Sequence, residues 1–143
     1  MSIAARALLC SRLVFQADTQ RSDLMSPNVT QTTLIALLLD VTEHVRLEVT
    51  AVKTDHHDDS ALGLHCHFNG YAIDLWPLQS NEAGDYLDAD DPRFAAFLKI
   101  VSTSPWSYQI GLAGEANTEA NMASAGSSAF VDDGGDHVHI GAT

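Results

Sequence analysis

Histidine and aspartate residues cluster in two parts of this sequence in a way that suits a metal ion. Of the seven histidines, four lie between positions 56 and 67, two are His137 and His139 near the C-terminus, and His44 stands alone. Asp74 and Asp136 accompany the two groups. Zinc takes imidazole and carboxylate ligands, and in hydrolases it takes three of them and keeps a fourth position for water. The two groups therefore predict a zinc site.

The spacing within the groups is more specific than their composition. Residues 67–74 read His-Phe-Asn-Gly-Tyr-Ala-Ile-Asp, an H-x-x-G-x-A-x-D string, and residues 136–139 read Asp-His-Val-His. On a strand, Ala72 and Asp74 project from the same face, and Gly70 permits the close backbone approach that brings His67 back over that face. The pattern predicts ligands that converge from two strands.

These two motifs, in this order, resemble the zinc D-Ala-D-Ala carboxypeptidases and phage endolysin peptidases, which are relatives of lysostaphin and the hedgehog domain. The resemblance covers roughly residues 26–78 and 130–141 and leaves residues 79–130 unmatched. It implies that His67, Asp74 and His139 hold one Zn²⁺. It also implies a zinc metallopeptidase that hydrolyses an amide bond of peptidoglycan stem peptides, as a D-Ala-D-Ala carboxypeptidase or an L-Ala-D-Glu endopeptidase of the endolysin kind.

The resemblance leaves two candidates for the base that activates water. Asp136 lies where carboxypeptidase relatives have an acidic base, and His137 lies where lysostaphin-like relatives have a catalytic histidine. Strand periodicity puts His137 on the face of His139, whereas Asp136 points away unless a turn or bulge reorients it. We expect Asp136 to be the base and His137 to lie close enough to affect the substrate or transition state.

Two residues are expected to contact the substrate, and both depart from the family pattern. Lys53 and His65 occupy positions where family members commonly have arginine and serine. Lys53 can offer positive charge to a substrate carboxylate or a developing oxyanion, but without the two-pronged geometry of a guanidinium group.

The remaining metal-type residues carry weaker signals. Residues 55–59 combine aspartate and histidine, but such a run is typical of a solvated turn, and His56 is expected to contact the first site rather than a second ion. Cys10 and Cys66 form no C-x-x-C motif, which leaves both a disulfide and two buried thiols open.

A different class of function is also compatible with the motifs. Hedgehog-type relatives keep the metal without peptidase activity, so the alternative is a non-catalytic, zinc-bearing module that binds cell-wall peptides or builds a phage particle.

Charge and hydropathy exclude several partners. A net charge of −12 with only seven basic residues argues against nucleic acid binding. No segment approaches the roughly 20 apolar residues that cross a bilayer, so membrane insertion is not expected. Arg6 and Arg12 interrupt the apolar residues at the N-terminus, and no signal peptide is expected. We expect a monomer that is cytoplasmic until released and that, if it is a phage lysin, acts at the bacterial cell wall.

The helices and strands predicted around these residues indicate an α+β fold with a small antiparallel sheet and helices packed on one side. The resemblance implies the hedgehog and D-Ala-D-Ala peptidase type of fold. We expect one catalytic domain over residues 1–143. The predicted helices are an amphipathic N-terminal segment, a segment from residue 26 to 44, and residues 91–101. The predicted strands are residues 46–53, residues 71–76 ended by Pro77, residues 106–112 and residues 137–140, with a loop at residues 114–128.

Overall fold

Six strands form one mixed sheet in the computed structural model, which describes residues 1–143. The strands are β1 (Leu13–Phe15), β2 (Arg46–Ala51), β3 (Ala72–Leu78), β4 (Ser107–Leu112), β5 (Ala129–Val131) and β6 (Val138–Ala142). The helices are α1 (Ile3–Ser11), α2 (Asp18–Met25), α3 (Thr32–Thr42), α4 (Pro92–Thr103) and α5 (Glu119–Ala125). The α+β class is confirmed.

The strand order is β1-β2-β3-β6-β4-β5. The four inner strands pair antiparallel, but β1 runs parallel to β2 and β5 runs parallel to β4. The prediction of a purely antiparallel sheet is therefore wrong at both edges. The short edge strands β1 and β5 carry little periodicity of their own, so the sequence did not reveal them.

The two faces of the sheet have different compositions. In register across β3, β6 and β4 lie Ile73, Ile140 and Ile110, all fully buried in the main hydrophobic core. Helices α3 and α4, which contact β6 and β4, supply apolar residues to the same core. Because side chains alternate along a strand, the residues between them point to the opposite face.

The row on the opposite face is Asp74, His139 and Gly111, again in register across β3, β6 and β4. The central strands therefore place one carboxylate and one imidazole side by side, next to a position with no side chain.

Strand β3 runs through Pro77 to Leu78, although Pro77 was expected to end it. The carbonyl of Pro77 accepts a hydrogen bond from the N–H of Leu87. The backbone nitrogen and carbonyl of Pro77 therefore face away from β2. Pairing with β6 stops at Leu75. No ladder hydrogen bond is lost at the proline, and the strand continues.

The second predicted helix begins at Thr32 rather than at residue 26. The fully buried Arg6 guanidinium donates hydrogen bonds to the carbonyls of Leu24, Ser26 and Thr30, which holds the preceding segment in turns. A long-range contact from α1, which local periodicity does not encode, fixes this boundary.

The prediction of a loop over residues 114–128 is wrong for Glu119–Ala125, which form helix α5. The hydroxyl of Thr118 caps this helix by accepting from the N–H of Asn121, and Glu119 lies in its first turn. No helix in the chain is long and apolar enough to cross a membrane.

Candidate metal centre

Three predicted ligands meet on the polar face of the sheet. His67 lies in the turn before β3, Asp74 lies in β3 and His139 lies in β6. Nε2 of His67 lies 3.1 Å from Oδ1 of Asp74 and 3.2 Å from Nδ1 of His139, and the last two atoms are 3.3 Å apart. All three residues are buried, and the cluster can hold a metal ion.

The turn that carries His67 is held by a second carboxylate. Asp59 accepts hydrogen bonds from the N–H groups of His67, at 3.0 Å, and of Phe68, at 2.9 Å. Gly70 follows with φ of +79°, and a Cβ there would collide with the carbonyl oxygen of Val29. Only glycine combines this left-handed conformation with so close an approach.

Hydrogen bonds also orient the ligand rings. Nδ1 of His67 donates to the carbonyl of Val52. In the neutral ring, Nε2 therefore carries the electron pair that a metal ion needs, and in the protonated ring its N–H donates to Asp74. On the outer side of His139, the side-chain amide of Gln109 lies 3.0 Å from Nε2.

The two ligand pKa values move apart. Burial works to raise the pKa of Asp74, but hydrogen bonds from His139 and His67 outweigh it and hold that pKa well below its usual range. Burial works to lower the pKa of His67, but the hydrogen bond and charge of Asp74 outweigh it and raise that pKa. The pair thus favours an anionic Asp74 beside a cation, whether a proton or a metal ion.

The cluster lies at the floor of a cavity of about 790 Å³. More than half of the lining residues are histidine or aspartate, four others are apolar, and none is lysine or arginine. The lining histidines are His56, His57, His67, His137 and His139, the carboxylates are Asp59, Asp74, Asp132 and Asp133, and the apolar residues are Leu62, Cys66, Phe130 and Val131.

The structure brings one of the two candidate bases to the cavity. Nε2 of His137 lies 3.6 Å from Oδ1 of Asp74 and 3.4 Å from Oδ2 of Asp132. The hydrogen bond with Asp132 is the main cause that raises the pKa of His137, and it outweighs burial. Asp136 is exposed and does not line the cavity; its carboxylate accepts from the N–H of Glu115 at 3.0 Å.

Neither expected substrate contact lines the cavity. The Lys53 ammonium group lies 5.5 Å from the centroid of the Phe68 ring. The imidazole of His65 stacks on Tyr108, with 4.0 Å between ring centroids, and its Nδ1 lies 3.0 Å from the carbonyl oxygen of Ala142. His65 reaches the site only indirectly, because its carbonyl accepts from the amide of Gln109.

His56 lies against the first site, as expected. Its ring stacks on that of His67, with centroids 3.7 Å apart, and its Nε2 lies 3.5 Å from Oδ2 of Asp74. His56, Asp59 and His67 also form a group compatible with a metal ion. Both oxygens of Asp59 already accept backbone hydrogen bonds, which favours a structural role for this carboxylate.

Three residues around the site were missed from sequence. Gln109 and Gly111 lie on β4, in the stretch that the resemblance does not match, and Asp132 lies in the loop before β6. A Cβ on Gly111 would come within 2.7 Å of Oδ2 of Asp132 and 2.9 Å of Cβ of His139. The sequence feature that could have indicated Asp132 is the pair of adjacent aspartates that precedes His137 across a Gly-Gly turn.

Cys10 and Cys66 are both buried free thiols.

Comparisons of the chain with protein-family models, curated proteins and solved structures found no match.

Proposed function

We propose that this protein is a zinc-dependent peptidase that hydrolyses an amide bond of peptidoglycan stem peptides, in the manner of an endolysin. The observation that carries the proposal is the triangle of His67, Asp74 and His139 donor atoms at the floor of an open cavity, with His137 beside it. The order of the two sequence motifs supports the hedgehog and D-Ala-D-Ala peptidase type of fold and the peptidoglycan substrate.

The donor set fits zinc better than a harder cation. Two imidazole nitrogens and one carboxylate oxygen are typical of catalytic zinc sites, whereas calcium and magnesium take oxygen ligands. Tetrahedral bonds of about 2.0–2.1 Å place neighbouring donor atoms about 3.3 Å apart. The observed separations of 3.1, 3.2 and 3.3 Å match this value. Three electron-pair donors at this spacing repel one another unless a proton or a metal ion lies between them.

Zinc held by these three residues would supply Lewis-acid polarisation of a water molecule and of the scissile carbonyl. In this proposal the neutral His137 ring accepts the proton from water at Nε2, which faces Asp74, and returns it to the leaving amine. Oδ2 of Asp132 lies 3.4 Å from the same Nε2 and stabilises the ring while it holds that proton. We assign the base to His137 rather than to Asp136, because the Asp136 carboxylate faces the N–H of Glu115 outside the cavity.

The cavity is compatible with a peptide ligand. Its volume of about 790 Å³ lies in the usual range for small-molecule sites, about 300–1,000 Å³. Leu62, Phe130 and Val131 offer apolar surface for aliphatic parts of a substrate.

The test uses His137→Gln and Asp136→Asn, each assayed for zinc content and for release of peptides from purified peptidoglycan. We expect both variants to keep one zinc ion per chain. His137→Gln should slow peptide release by about 10²–10⁴-fold, the range for loss of a general base, and Asp136→Asn should stay near the wild-type rate. Unchanged release in His137→Gln contradicts the base assignment. Wild-type protein that binds zinc and releases nothing points to the non-catalytic peptide-binding module.

A further inference from the structure

A single peptide group connects the candidate ligand His67 to helix α2. This group joins Val52 to Lys53 in the turn that follows β2. Its carbonyl, on Val52, accepts the hydrogen bond from Nδ1 of His67. Its N–H, on Lys53, donates at 3.1 Å to Oδ2 of Asp23 in α2. Because the C=O and N–H of a trans peptide point in opposite directions, one rigid plane lies between the carboxylate and the imidazole.

The Asp23 carboxylate is buried against this turn. Asp23 is only 4 % exposed, although it carries a charged group. Its Oδ2 also accepts from the N–H of Thr54 at 2.8 Å, and its Oδ1 accepts from the Thr54 hydroxyl at 2.6 Å. Three donors from two neighbouring residues therefore converge on one carboxylate. Hydrogen bonds to an ionised acceptor are among the stronger ones, which favours a single conformation of the turn.

Helix α2 holds the rest of the turn as well. Asp55 accepts from the N–H of Val52 at 2.9 Å and from the side-chain amide of Gln20 at 2.8 Å. The Gln20 amide also donates to the carbonyl of Thr50, where the register of β2 against β3 shifts. A register shift of this kind bends a strand and interrupts its ladder. Helix α2 therefore fixes the direction in which the chain leaves β2, and with it the direction of the Val52 carbonyl.

A fixed acceptor on Nδ1 has two effects on a ligand histidine. It keeps a proton on Nδ1, so that Nε2 of the neutral ring carries the electron pair, and it sets the direction of that pair. A carboxylate often makes this contact directly in zinc sites. Here the carboxylate of Asp23 makes it through a peptide group. Hydrogen bonds in a chain polarise one another, which strengthens the Val52 carbonyl as an acceptor.

We propose that Asp23 is a positioning residue of the metal centre, which acts through the peptide group between Val52 and Lys53 to orient His67 for zinc. The inference rests on the zinc site proposed above but not on peptidase activity. Loss of an outer partner of a ligand histidine reduces metal affinity by about 10–100-fold, and Asp23→Ala should weaken zinc binding by this factor.

The conservative substitution Asp23→Asn should restore zinc binding. Its side-chain oxygen can still accept from the N–H of Lys53, and its side-chain amide can donate to the Thr54 hydroxyl, which is also an acceptor. We expect the zinc affinity of Asp23→Asn to stay within about threefold of the wild type, because the geometry of the peptide group is kept.

The first experiment measures zinc affinity by competition with a chelating dye, with two controls that separate positioning from stability. Asp18→Ala removes an exposed carboxylate from the first turn of α2. Val41→Ala removes buried apolar atoms from α3, which lowers the stability of the fold but removes no hydrogen bond of the turn. Both controls should bind zinc like the wild type. Wild-type affinity in folded Asp23→Ala, or an equal loss in Val41→Ala, overturns the inference.

The second experiment measures hydrogen exchange in the wild type and needs no substitution. Because coupling between two sites is reciprocal, zinc on His67 should slow exchange of the Lys53 N–H by about fivefold or more. The N–H of Arg93 donates to the carboxylate of Asp91 at 2.8 Å, and neither residue lines the cavity, so its exchange should not change. Equal exchange of the Lys53 N–H with and without zinc overturns the inference.

Failure of the proposed zinc site can be distinguished from failure of this inference. A wild-type protein that binds no zinc contradicts the proposed function. The Nδ1 proton of His67, followed by ¹⁵N NMR in metal-free protein, then tests the role of Asp23 alone. This proton should exchange with solvent faster in Asp23→Ala than in the wild type or Asp23→Asn, and equal rates in all three overturn the inference.

Discussion

Asp74 on β3 and His139 on β6 are register partners in an antiparallel pair, and Oδ1 of Asp74 lies 3.3 Å from Nδ1 of His139. The sheet itself therefore fixes two of the three candidate ligand atoms, without help from a loop. The third candidate ligand, His67, comes from a turn that Asp59 and Gly70 hold in place. Rigid strands with a supported turn are a suitable frame for a preorganised site.

Gly111 is predicted to be essential to the site. An added Cβ would lie 2.9 Å from Cβ of His139 and 2.8 Å from the Phe130 ring, so Gly111→Ala should push the His139 ring from its position. We expect zinc affinity to fall at least about tenfold, measured by competition with a chelating dye. Gly134→Ala, where nothing lies within 4 Å, should bind zinc like the wild type. Equal affinities in the two variants would contradict this role of Gly111.

Gly70→Ala should destabilise the fold more than Gly84→Ala. Both glycines have φ of +79°, but only at Gly70 does a Cβ meet other atoms, the backbone of Val29 and Thr30. The left-handed strain of about 1 kcal/mol is common to both, so the difference in unfolding free energy reports the close approach alone. Urea denaturation of the two variants provides the measurement, and equal losses would show that the approach is unimportant.

Gln109 is predicted to affect zinc binding through Nε2 of His139, because its side-chain nitrogen lies 3.0 Å from that atom and also donates to the carbonyl of His65. A metal ion on Nδ1 of His139 leaves a proton on Nε2, so the Gln109 amide must turn its oxygen towards that proton to accept it. Gln109→Leu should lower zinc affinity by about 10–100-fold, whereas Gln109→Glu, which keeps an acceptor, should retain it. Calorimetric titration with zinc distinguishes the two, and a loss of affinity in both variants would argue for packing instead.

Zinc binding should depend on pH through His67. The pKa of His67 is raised by Asp74, so below that pKa a zinc ion must displace a proton from the imidazole. Affinity should therefore increase with pH until His67 is neutral and then level off. In metal-free protein, folding stability depends on pH in the opposite direction. Protonated His67 stabilises the fold fully below its ordinary pKa of about 6.5, and this stabilisation is lost as the pH rises through the raised pKa.

The measurement for this pH dependence is calorimetry at pH 6 and pH 8 in buffers with different ionisation enthalpies. More protons should be released per zinc ion at pH 6, and thermal unfolding should show the metal-free protein losing stability over the higher range. Release of the same number of protons at both pH values would be inconsistent with a proton held between His67 and Asp74.

The cluster of His67, Asp74 and His139 could be predicted because the resemblance points to these three residues and their geometry is local or periodic. Strand alternation places Asp74 and His139 on one face from their immediate neighbours, and Gly70 indicates the turn that returns His67. The N-cap of α4 could also be predicted, because Asp91 directly precedes a proline. In the structure its carboxylate accepts a hydrogen bond from the N–H of Arg93.

The rest of the site depends on contacts between distant segments. Nothing near Gln109 in sequence indicates that it faces His139, and the position of Asp136 depends on the N–H of Glu115, which lies 21 residues away. The α3 boundary follows from the buried Arg6 for the same reason. The periodicity of a sequence indicates which face of its own helix or strand is buried. Which residues of other elements contact that face depends on the topology, and periodicity does not indicate it.

The most direct test of the central claim is zinc content measured together with peptide release from purified peptidoglycan, in the wild type, in His67→Ala and in His44→Ala. His44 is exposed and does not line the cavity, so its variant controls for loss of a histidine. We predict one zinc ion per chain and peptide release in the wild type and His44→Ala, and loss of both in His67→Ala. Absence of zinc from the wild type after reconstitution, or undiminished release by His67→Ala, would contradict the account.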